Sequence, residues 1–302
     1  MDAKRFFTHP LGIIVAAGGA TFLWGSAFPF VKLSYQMLTI ESAETGEQIL
    51  FAGYRFFLAS LLMLLFLLLS KRKVALERDT IAPLLKIGLF QTFFQYIFFY
   101  IGLSFSTGIQ GSIIAGTTSF FQILFAHFMY QDDAINRRKV IGLMIGFTGV
   151  VLVNLTRGSL ELQFGIGEML LMCAMIVAAF GNILARNASM NMNVVYMTAF
   201  QMLFGSLGLL AAGMTAVGPL PFQFDFVSSL TLIYLAVLSA GGFLLWNNVM
   251  KYNQVGKVSM YLFLIPVFGV FLSAVLLKET LHIFVLLGLV CVATGIVIVN
   301  RK

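Results

Sequence analysis

Apolar residues in this chain cluster in long runs, and short polar segments separate one run from the next. A helix needs about 20 consecutive apolar residues to cross the hydrocarbon core of a bilayer. We therefore predict an all-α integral membrane protein with ten transmembrane helices. These helices are predicted at residues 11–35, 49–70, 81–103, 109–130, 138–155, 165–187, 193–214, 227–250, 255–277 and 281–300.

The boundary between the third and fourth helices lies within a long segment without charged residues. From Ile87 to Gln131 there are 45 residues without Asp, Glu, Lys or Arg. At about 1.5 Å per residue, one helix of that length would be more than twice as long as the core is thick. The turn-like segment Ser104–Gly108 is therefore predicted to separate two spans.

Composition agrees with a lipid environment. Of the 302 residues, 60% are hydrophobic and 10% are charged, whereas soluble domains are about 25% charged. The net charge of +7 comes from residues at the ends of apolar runs, which indicates an orientation signal rather than a nucleic-acid surface. Cys173 and Cys291 each lie within an apolar run, so neither a disulfide framework nor a metal site is expected. No cofactor is predicted.

The positive charges predict the orientation of the chain. With the N-terminus in the cytoplasm, only Lys32, Arg157 and Lys278 of the 19 Lys and Arg residues fall on the outer side. Arg55 lies within a span, and the remaining fifteen fall on the inner side. Because cytoplasmic loops carry an excess of Lys and Arg, we predict that both termini are cytoplasmic. The basic N-terminal segment is interpreted as the start of an uncleaved first helix rather than a signal peptide.

The second half of the chain repeats the first at a shift of 146 residues. The shift places Asp133 on Glu279, Gly142 on Gly288, Thr148 on Thr294, Gly149 on Gly295, Asn154 on Asn300, and Ser60, Leu61 and Leu64 on Ser206, Leu207 and Leu210. We predict two five-helix repeats, residues 1–155 and 156–302. Because five is odd, the second repeat would be inverted, as in many secondary transporters. The alternative is that the duplication merely enlarged a scaffold.

Several motifs identify a family. The sequence resembles the EamA-type ten-helix branch of the drug/metabolite transporter superfamily in GGATFLWGSAF at 18–28, YRFFLA at 54–59, YIGLS at 100–104, PVFG at 266–269 and LLKE at 276–279. One departure is that Pro266 has Phe120, not proline, as its repeat equivalent. The resemblance implies a carrier of amino acids or related metabolites, with a central cavity lined by helices 1, 3, 4, 6, 8 and 9.

Polar and aromatic residues on those helices are the candidates for substrate binding. Gln91 and Gln95 share one face of helix 3, and an unpaired amide in hydrocarbon is costly. The full candidate set is Trp24, Phe28, Gln91, Gln95, Tyr100, Thr118, Ser119, Asn182, Trp246, Asn247 and Tyr261, with Pro29 and Pro266 as hinge or gating positions. Alternatively, the amides form bonds between helices, and Tyr100 and Trp246 belong to interfacial aromatic belts.

Arg55 is the ionisable residue that the sequence places deepest in a span. It is predicted either to reach toward Glu41, Glu44 or Glu47 in the first outer loop or to attract an anionic substrate group. The structural role is favoured, because the family motif puts it on a helix away from the pore. No carboxylate occupies the centre of helix 1, so the resemblance does not imply proton coupling through such a group.

These features predict a multi-pass carrier in the cytoplasmic membrane that moves a small metabolite by alternating access, with efflux of an amino acid or related compound favoured. A hydrophobic or cationic drug exporter is the alternative within the superfamily, and a channel or scaffold is the alternative outside it. Neither H-E-x-x-H nor G-x-S-x-G occurs, which argues against an enzyme. The expected partners are a small solute and lipid, without nucleic acid. The sequence is compatible with both a monomer and a homodimer.

Overall fold

A computed structural model describes residues 3–71, 74–154, 165–278 and 283–300. Within these ranges the chain is helical, in agreement with the predicted fold class. The α-helices are α1 (Ala3–Thr8), α2 (Pro10–Met37), α3 (Thr45–Leu69), α4 (Arg78–Gly88), α5 (Gln95–Ser104), α6 (Gly108–Ala115), α7 (Thr118–Met129), α8 (Arg137–Asn154), α9 (Ile166–Ser189), α10 (Val194–Val217), α11 (Phe226–Tyr252), α12 (Val255–Ser259), α13 (Leu264–Leu277) and α14 (Ile283–Asn300).

Eight helical stretches in the described ranges are long and apolar enough to cross a membrane. Five are the single helices α2, α3, α9, α10 and α11. Three consist of consecutive segments, at Arg78–Ser104, Gly108–Met129 and Val255–Leu277. The other two predicted spans coincide with α8 and α14, which have 18 residues each. The short helix α1 was not predicted. It precedes α2, and its Phe7 ring stacks on Tyr252.

The predicted break between the third and fourth spans occurs where the polar segment lies. Helix α5 ends at Ser104 and α6 begins at Gly108. Thr107 forms a capping box with Gln110, in which each side chain accepts a hydrogen bond from the backbone N–H of the other residue, at 3.1 and 3.2 Å. These bonds satisfy backbone donors that the start of a helix leaves unpaired.

Two of the stretches are interrupted near their middle. Helix α6 stops at Ala115 before α7 begins, and a 3₁₀ turn at Met260–Phe263 separates α12 from α13. Pro266 explains the second interruption, because it has no N–H to donate to the Leu262 carbonyl. The first has no proline, but Gly116 lies against Pro266. A Cβ atom at position 116 would be 3.1 Å from Pro266 Cγ. The shift of 146 places Gly116 on Leu262, so the two interruptions are at equivalent positions.

Helices at equivalent positions of the sequence repeat also pack on each other. Helix α3 packs against α10, and α8 packs against α14. The backbones of α8 and α14 come close at Gly142, where a Cβ atom would be 2.4 Å from Val299 Cγ2 and 2.8 Å from the Gly295 carbonyl oxygen. Gly142 therefore contributes to packing within the bundle, as small residues commonly do in membrane proteins.

Candidate functional site

A cavity of about 60 Å³ lies where the interrupted helices meet α2, α3, α5, α9 and α11. Its wall consists of Trp24, Ala27, Phe28, Arg55, Gln95, Tyr96, Phe99, Ala115, Thr118, Met175, Ala178, Asn182, Phe243, Leu262 and Ile265. This volume holds a few water molecules. A metabolite larger than a few water molecules would need the surrounding helices to separate.

Five of the predicted site residues line the cavity. They are Trp24, Phe28, Gln95, Thr118 and Asn182. They come from the first, third, fourth and sixth spans, and Phe243 and Leu262 add the eighth and ninth. The wall therefore includes each helix that the family resemblance implied. It also includes α3, through Arg55.

A chain of side-chain amides crosses the interior beside the cavity. Gln91 Nε2 donates to Asn182 Oδ1 at 2.8 Å, and Asn182 Nδ2 donates to Gln122 Oε1 at 2.8 Å. Gln122 Nε2 then donates to Ser259 Oγ at 2.7 Å. Gln91 and Gln122 belong to the first sequence repeat, whereas Asn182 and Ser259 belong to the second. These hydrogen bonds therefore join the two halves of the chain.

Gln91 and Asn247 lie outside the cavity wall as part of this polar interior. Gln91 occupies the π-helical turn Leu89–Phe94 between α4 and α5, and such turns are frequent at functional sites. Asn247 Nδ2 donates to Thr198 Oγ1 at 3.0 Å. Both amides therefore form hydrogen bonds between helices, which was the alternative role considered for them in the sequence analysis. Gln122, a member of the same chain of bonds, was not among the predicted residues.

Arg55 is 1% exposed and reaches inward from α3. Its Nε donates to Ser239 Oγ at 2.8 Å and to the Leu235 carbonyl at 3.2 Å, and its Nη1 donates to Tyr100 Oη at 3.1 Å. No ion pair joins it to Glu41, Glu44 or Glu47. The predicted contact with the outer loop is absent, because the side chain lies between α3, α5 and α11. Arg55 was not in the predicted site set.

Aromatic rings form much of the remaining wall. The Trp24 ring meets Phe243 edge-to-face with centroids 5.2 Å apart, and it meets Trp246 at 5.7 Å. The rings of Phe28 and Phe99, which also line the wall, meet edge-to-face with centroids 5.3 Å apart. Trp246 is fully buried behind Trp24 rather than in a belt at the bilayer interface. Tyr100 is also fully buried and lies outside the wall, where it contacts the wall residues Arg55, Tyr96 and Phe99.

The remaining predicted residues lie near the cavity but not in its wall. Ser119 points toward Met260 Sδ, at 3.8 Å from its hydroxyl, whereas the neighbouring Thr118 reaches Met175 Sδ at 3.0 Å. Tyr261 lies in the 3₁₀ turn and packs at the edge of the hydrophobic core.

The two predicted hinge prolines lie on helices that pack together. Helix α2 continues through Pro29 to Met37, whereas the helix containing Pro266 is interrupted just before it. Helices α2 and α13 cross closely. A Cβ atom at Gly25 would be 2.8 Å from Phe268 Cβ and 3.0 Å from the Gly269 nitrogen. A movement of either proline-containing helix would therefore displace the other.

Some wall residues had a signal in the sequence that we did not use. Phe99 is four residues after Gln95 and therefore on the same helix face. Met175 and Ala178 are at the i−7 and i−4 positions from Asn182, which again defines one face. Over the described ranges, no group of three or more His, Cys, Asp or Glu side chains could hold a metal ion.

A sequence model of the EamA-like transporter family matches the chain twice, at residues 10–155 and 165–301. The transporter YvbV of Bacillus subtilis is 27% identical over 93% of this chain and 88% of its own length. A probable amino-acid metabolite efflux pump of Salmonella typhimurium is 25% identical, over 91% of this chain and 90% of its own. An S-adenosylmethionine/S-adenosylhomocysteine transporter of Chlamydia trachomatis is 23% identical, over 86% and 80%.

A solved crystal structure has the same fold. It superimposes with a TM-score of 0.74 over 96% of each chain, at 14% sequence identity. The agreement over nearly the whole length supports the helical arrangement described above.

Proposed function

This chain belongs to the EamA-like transporter family, and from that premise we propose that it is a secondary carrier for an amino acid or a related small metabolite, working in the direction of efflux. It is a multi-pass membrane transporter and not an enzyme. In the proposed mechanism, two inverted five-helix halves rock about the central cavity and expose it alternately to the two sides. The chain crosses the membrane ten times, and both termini are cytoplasmic.

The observation that carries this proposal is the position of the cavity between elements of both halves. Trp24, Gln95 and Thr118 reach it from the first repeat, and Asn182 and Phe243 reach it from the second. Substrate sites of transporters with inverted repeats are commonly formed at such interfaces by interrupted helices. The interruptions at Gly116 and at Met260–Phe263 fit this arrangement.

Three further observations support the inverted repeat. The family model matches each half separately. Helix α3 packs on its equivalent α10, and α8 packs on its equivalent α14, as expected about an approximate two-fold axis. The packing of α2 on α11 and α13 has a counterpart in the packing of α9 on α5 and α7.

Two relatives guide the choice of substrate. One is named as a probable amino-acid metabolite efflux pump and one as an S-adenosylmethionine/S-adenosylhomocysteine transporter. The solutes in both names contain an amino-acid group, which makes amino-acid-like compounds the first class to test. The aromatic wall formed by Trp24, Phe28, Phe99 and Phe243 favours a second candidate, a carrier for hydrophobic or cationic drugs.

Counterflow in proteoliposomes tests the carrier mechanism. Liposomes loaded with an unlabelled amino acid are diluted into a trace of the same labelled compound, across a panel of amino acids. With a carrier, the labelled compound inside the liposomes transiently exceeds its equilibrium level. The exit of unlabelled solute brings the empty binding site back to the outside, where it binds another labelled molecule. Simple equilibration of label would indicate a channel, and no protein-dependent movement of any panel member or of a cationic dye would contradict both carrier candidates.

A further inference from the structure

Arg55 gives the cavity a positive charge that no nearby carboxylate neutralises. None of the described residues in the cavity wall is Asp or Glu. The groups within hydrogen-bonding distance of the guanidinium are a serine hydroxyl, a carbonyl and a tyrosine hydroxyl, all neutral. Its carbon also lies 4.9 Å from the Phe56 ring centroid and 5.6 Å from that of Tyr96. A buried charge with only neutral partners is unusual, because its desolvation is offset only in part.

The guanidinium also retains unused hydrogen-bonding capacity. Arginine has five N–H donors, arranged in a planar fork. Nε and Nη1 account for the bonds to Ser239, Leu235 and Tyr100, whereas Nη2 donates to no described residue. The side-chain amide of Gln95 also forms no hydrogen bond with the described residues, and it lies in the same wall as Arg55. The cavity therefore combines a cation, open donors and aromatic surface.

From this geometry we infer that Arg55 is the anion-binding residue of the cavity and that the transported solute carries a carboxylate. The carboxylate binds the guanidinium beside Gln95, and the apolar part of the solute packs against Trp24, Phe28 and Phe99. A solute whose only charge is positive is rejected, because Arg55 repels it and the described wall residues include no carboxylate that would offset this repulsion. This inference rests on the proposed carrier function and selects amino-acid-like compounds over cationic drugs.

The competing role for Arg55 is purely structural, since its three hydrogen bonds connect α3 to α5 and α11. That role predicts a stability defect on substitution but no preference among solutes by charge. A binding measurement with two probes that share a phenylethyl group and carry head groups of opposite charge separates the two roles. The probes are 3-phenylpropionate, which is an anion, and 2-phenylethylamine, which is a cation of similar size.

The two tryptophans of the chain provide the signal. Trp24 lines the cavity and Trp246 contacts its ring, and these are the only Trp residues in the sequence. Quenching of their fluorescence in detergent micelles is expected to saturate with 3-phenylpropionate at concentrations at least about tenfold lower than with 2-phenylethylamine. Equal or tighter binding of the amine to the unmodified protein would overturn the inference without any variant.

Substitutions then locate the anion site. Arg55→Gln is expected to weaken 3-phenylpropionate binding about tenfold or more and to leave the amine unchanged or improved. Arg55→Lys keeps the charge but loses the fork, so an intermediate loss is expected. Arg186→Gln is the matched control, since Arg186 lies over the Tyr130 ring and outside the cavity wall. Size-exclusion profiles verify that each variant is folded.

The inference is overturned if the Arg55 variants lose no more affinity for 3-phenylpropionate than Arg186→Gln does. If Arg55→Gln does not fold, the ranking of the two probes on the unmodified protein and the Arg55→Lys result decide. Counterflow distinguishes this failure from failure of the proposed function. A charge preference without counterflow contradicts the carrier, whereas counterflow of the cationic probe contradicts the role of Arg55.

Discussion

At the scale of single residues, Asn182 links the side-chain amides of the polar interior. Its amide accepts from Gln91 and donates to Gln122, so both of its hydrogen-bonding groups are used inside the protein. It also borders the cavity. Because each of these three residues comes from a different span, the position of Asn182 depends on helices on both sides of the cavity.

Replacing Asn182 with leucine is expected to destabilise the protein. The change removes the acceptor of the 2.8 Å bond from Gln91 Nε2 and the donor to Gln122 Oε1, and a buried unsatisfied polar group costs about 1–3 kcal/mol. Thermal unfolding in detergent should therefore occur at a lower temperature. Asn248→Leu is the matched control, because Asn248 bonds only to the Leu244 carbonyl of its own helix. Equal effects of the two substitutions would contradict a special role for Asn182.

Gln95→Ala is expected to reduce transport without destabilising the protein. The Gln95 amide makes no hydrogen bond with the described residues, so its removal should leave the unfolding temperature nearly unchanged. If the amide binds solute, counterflow should slow about tenfold, corresponding to the loss of one buried hydrogen bond of about 1.4 kcal/mol. Gln36→Ala, at an exposed position of α2, serves as the control.

The role of Trp24 in the cavity is tested best by a substitution that keeps an aromatic ring. Trp24→Ala would remove ring contacts with Phe243 and Trp246 as well as a cavity surface. Trp24→Phe keeps an aromatic ring and is therefore the cleaner test of binding. Counterflow by Trp24→Phe at the normal rate and with normal solute affinity would remove Trp24 from the proposed site.

At the scale of elements, close helix packing depends on positions without a side chain. Gly142→Ala is expected to destabilise the packing of α8 on α14 by about 1–3 kcal/mol, because its Cβ would be 2.8 Å from the Gly295 carbonyl oxygen. Gly18→Ala in α2 is the control. Its Cβ would meet nothing within 4 Å, and alanine favours a helix by up to about 1 kcal/mol. Similar unfolding temperatures for the two variants would contradict the packing described here.

A second element contact joins the connection between α7 and α8 to the start of α12. Asp133 Oδ1 pairs with Lys139 Nζ at 2.6 Å, and Oδ2 accepts from the Gly256 N–H at 2.6 Å. Because both charged groups are buried, Asp133→Ala should cost about 3–5 kcal/mol by leaving Lys139 unpaired. Asp132→Ala changes an exposed neighbour and should have little effect on unfolding. A stable Asp133 variant would show that the pair is dispensable.

Glu279, the repeat equivalent of Asp133, lies outside the described residues. The sequence correspondence predicts that a carboxylate serves each half of the protein at this position. The contact of Asp133 with Gly256 joins the first half of the chain to the second.

Eight of the ten predicted spans correspond to apolar helical stretches in the described ranges, and five of the predicted site residues line the cavity. Long apolar runs define where a helix crosses lipid, and the polar segment at 104–108 marks the break that the structure contains. The direction in which each side chain points is harder to predict, because membrane helices are apolar on all sides and lack one hydrophobic face. The two roles predicted for Arg55, a contact with the outer loop or attraction of an anionic solute, therefore did not include its hydrogen bonds to α5 and α11, and Gln122 was overlooked. The interruption at Gly116 was also missed, since no proline marks it.

At the scale of the whole molecule, residues from both halves of the chain line one cavity. The amide chain and the packing of α2 on α13 join the halves around the cavity. The proposed alternating access depends on the two halves crossing the membrane in opposite directions.

Cysteine labelling of two repeat-equivalent positions tests that dependence most directly. Glu77 and Gln223 are both exposed and are separated by 146 residues. Each is changed to cysteine in a protein whose native Cys173 and Cys291 are alanine, and intact cells are treated with a membrane-impermeant maleimide. We predict that Gln223→Cys is labelled in intact cells and that Glu77→Cys is labelled only after permeabilisation. Labelling of both positions from the same side would contradict the inverted repeat and the alternating-access mechanism built on it.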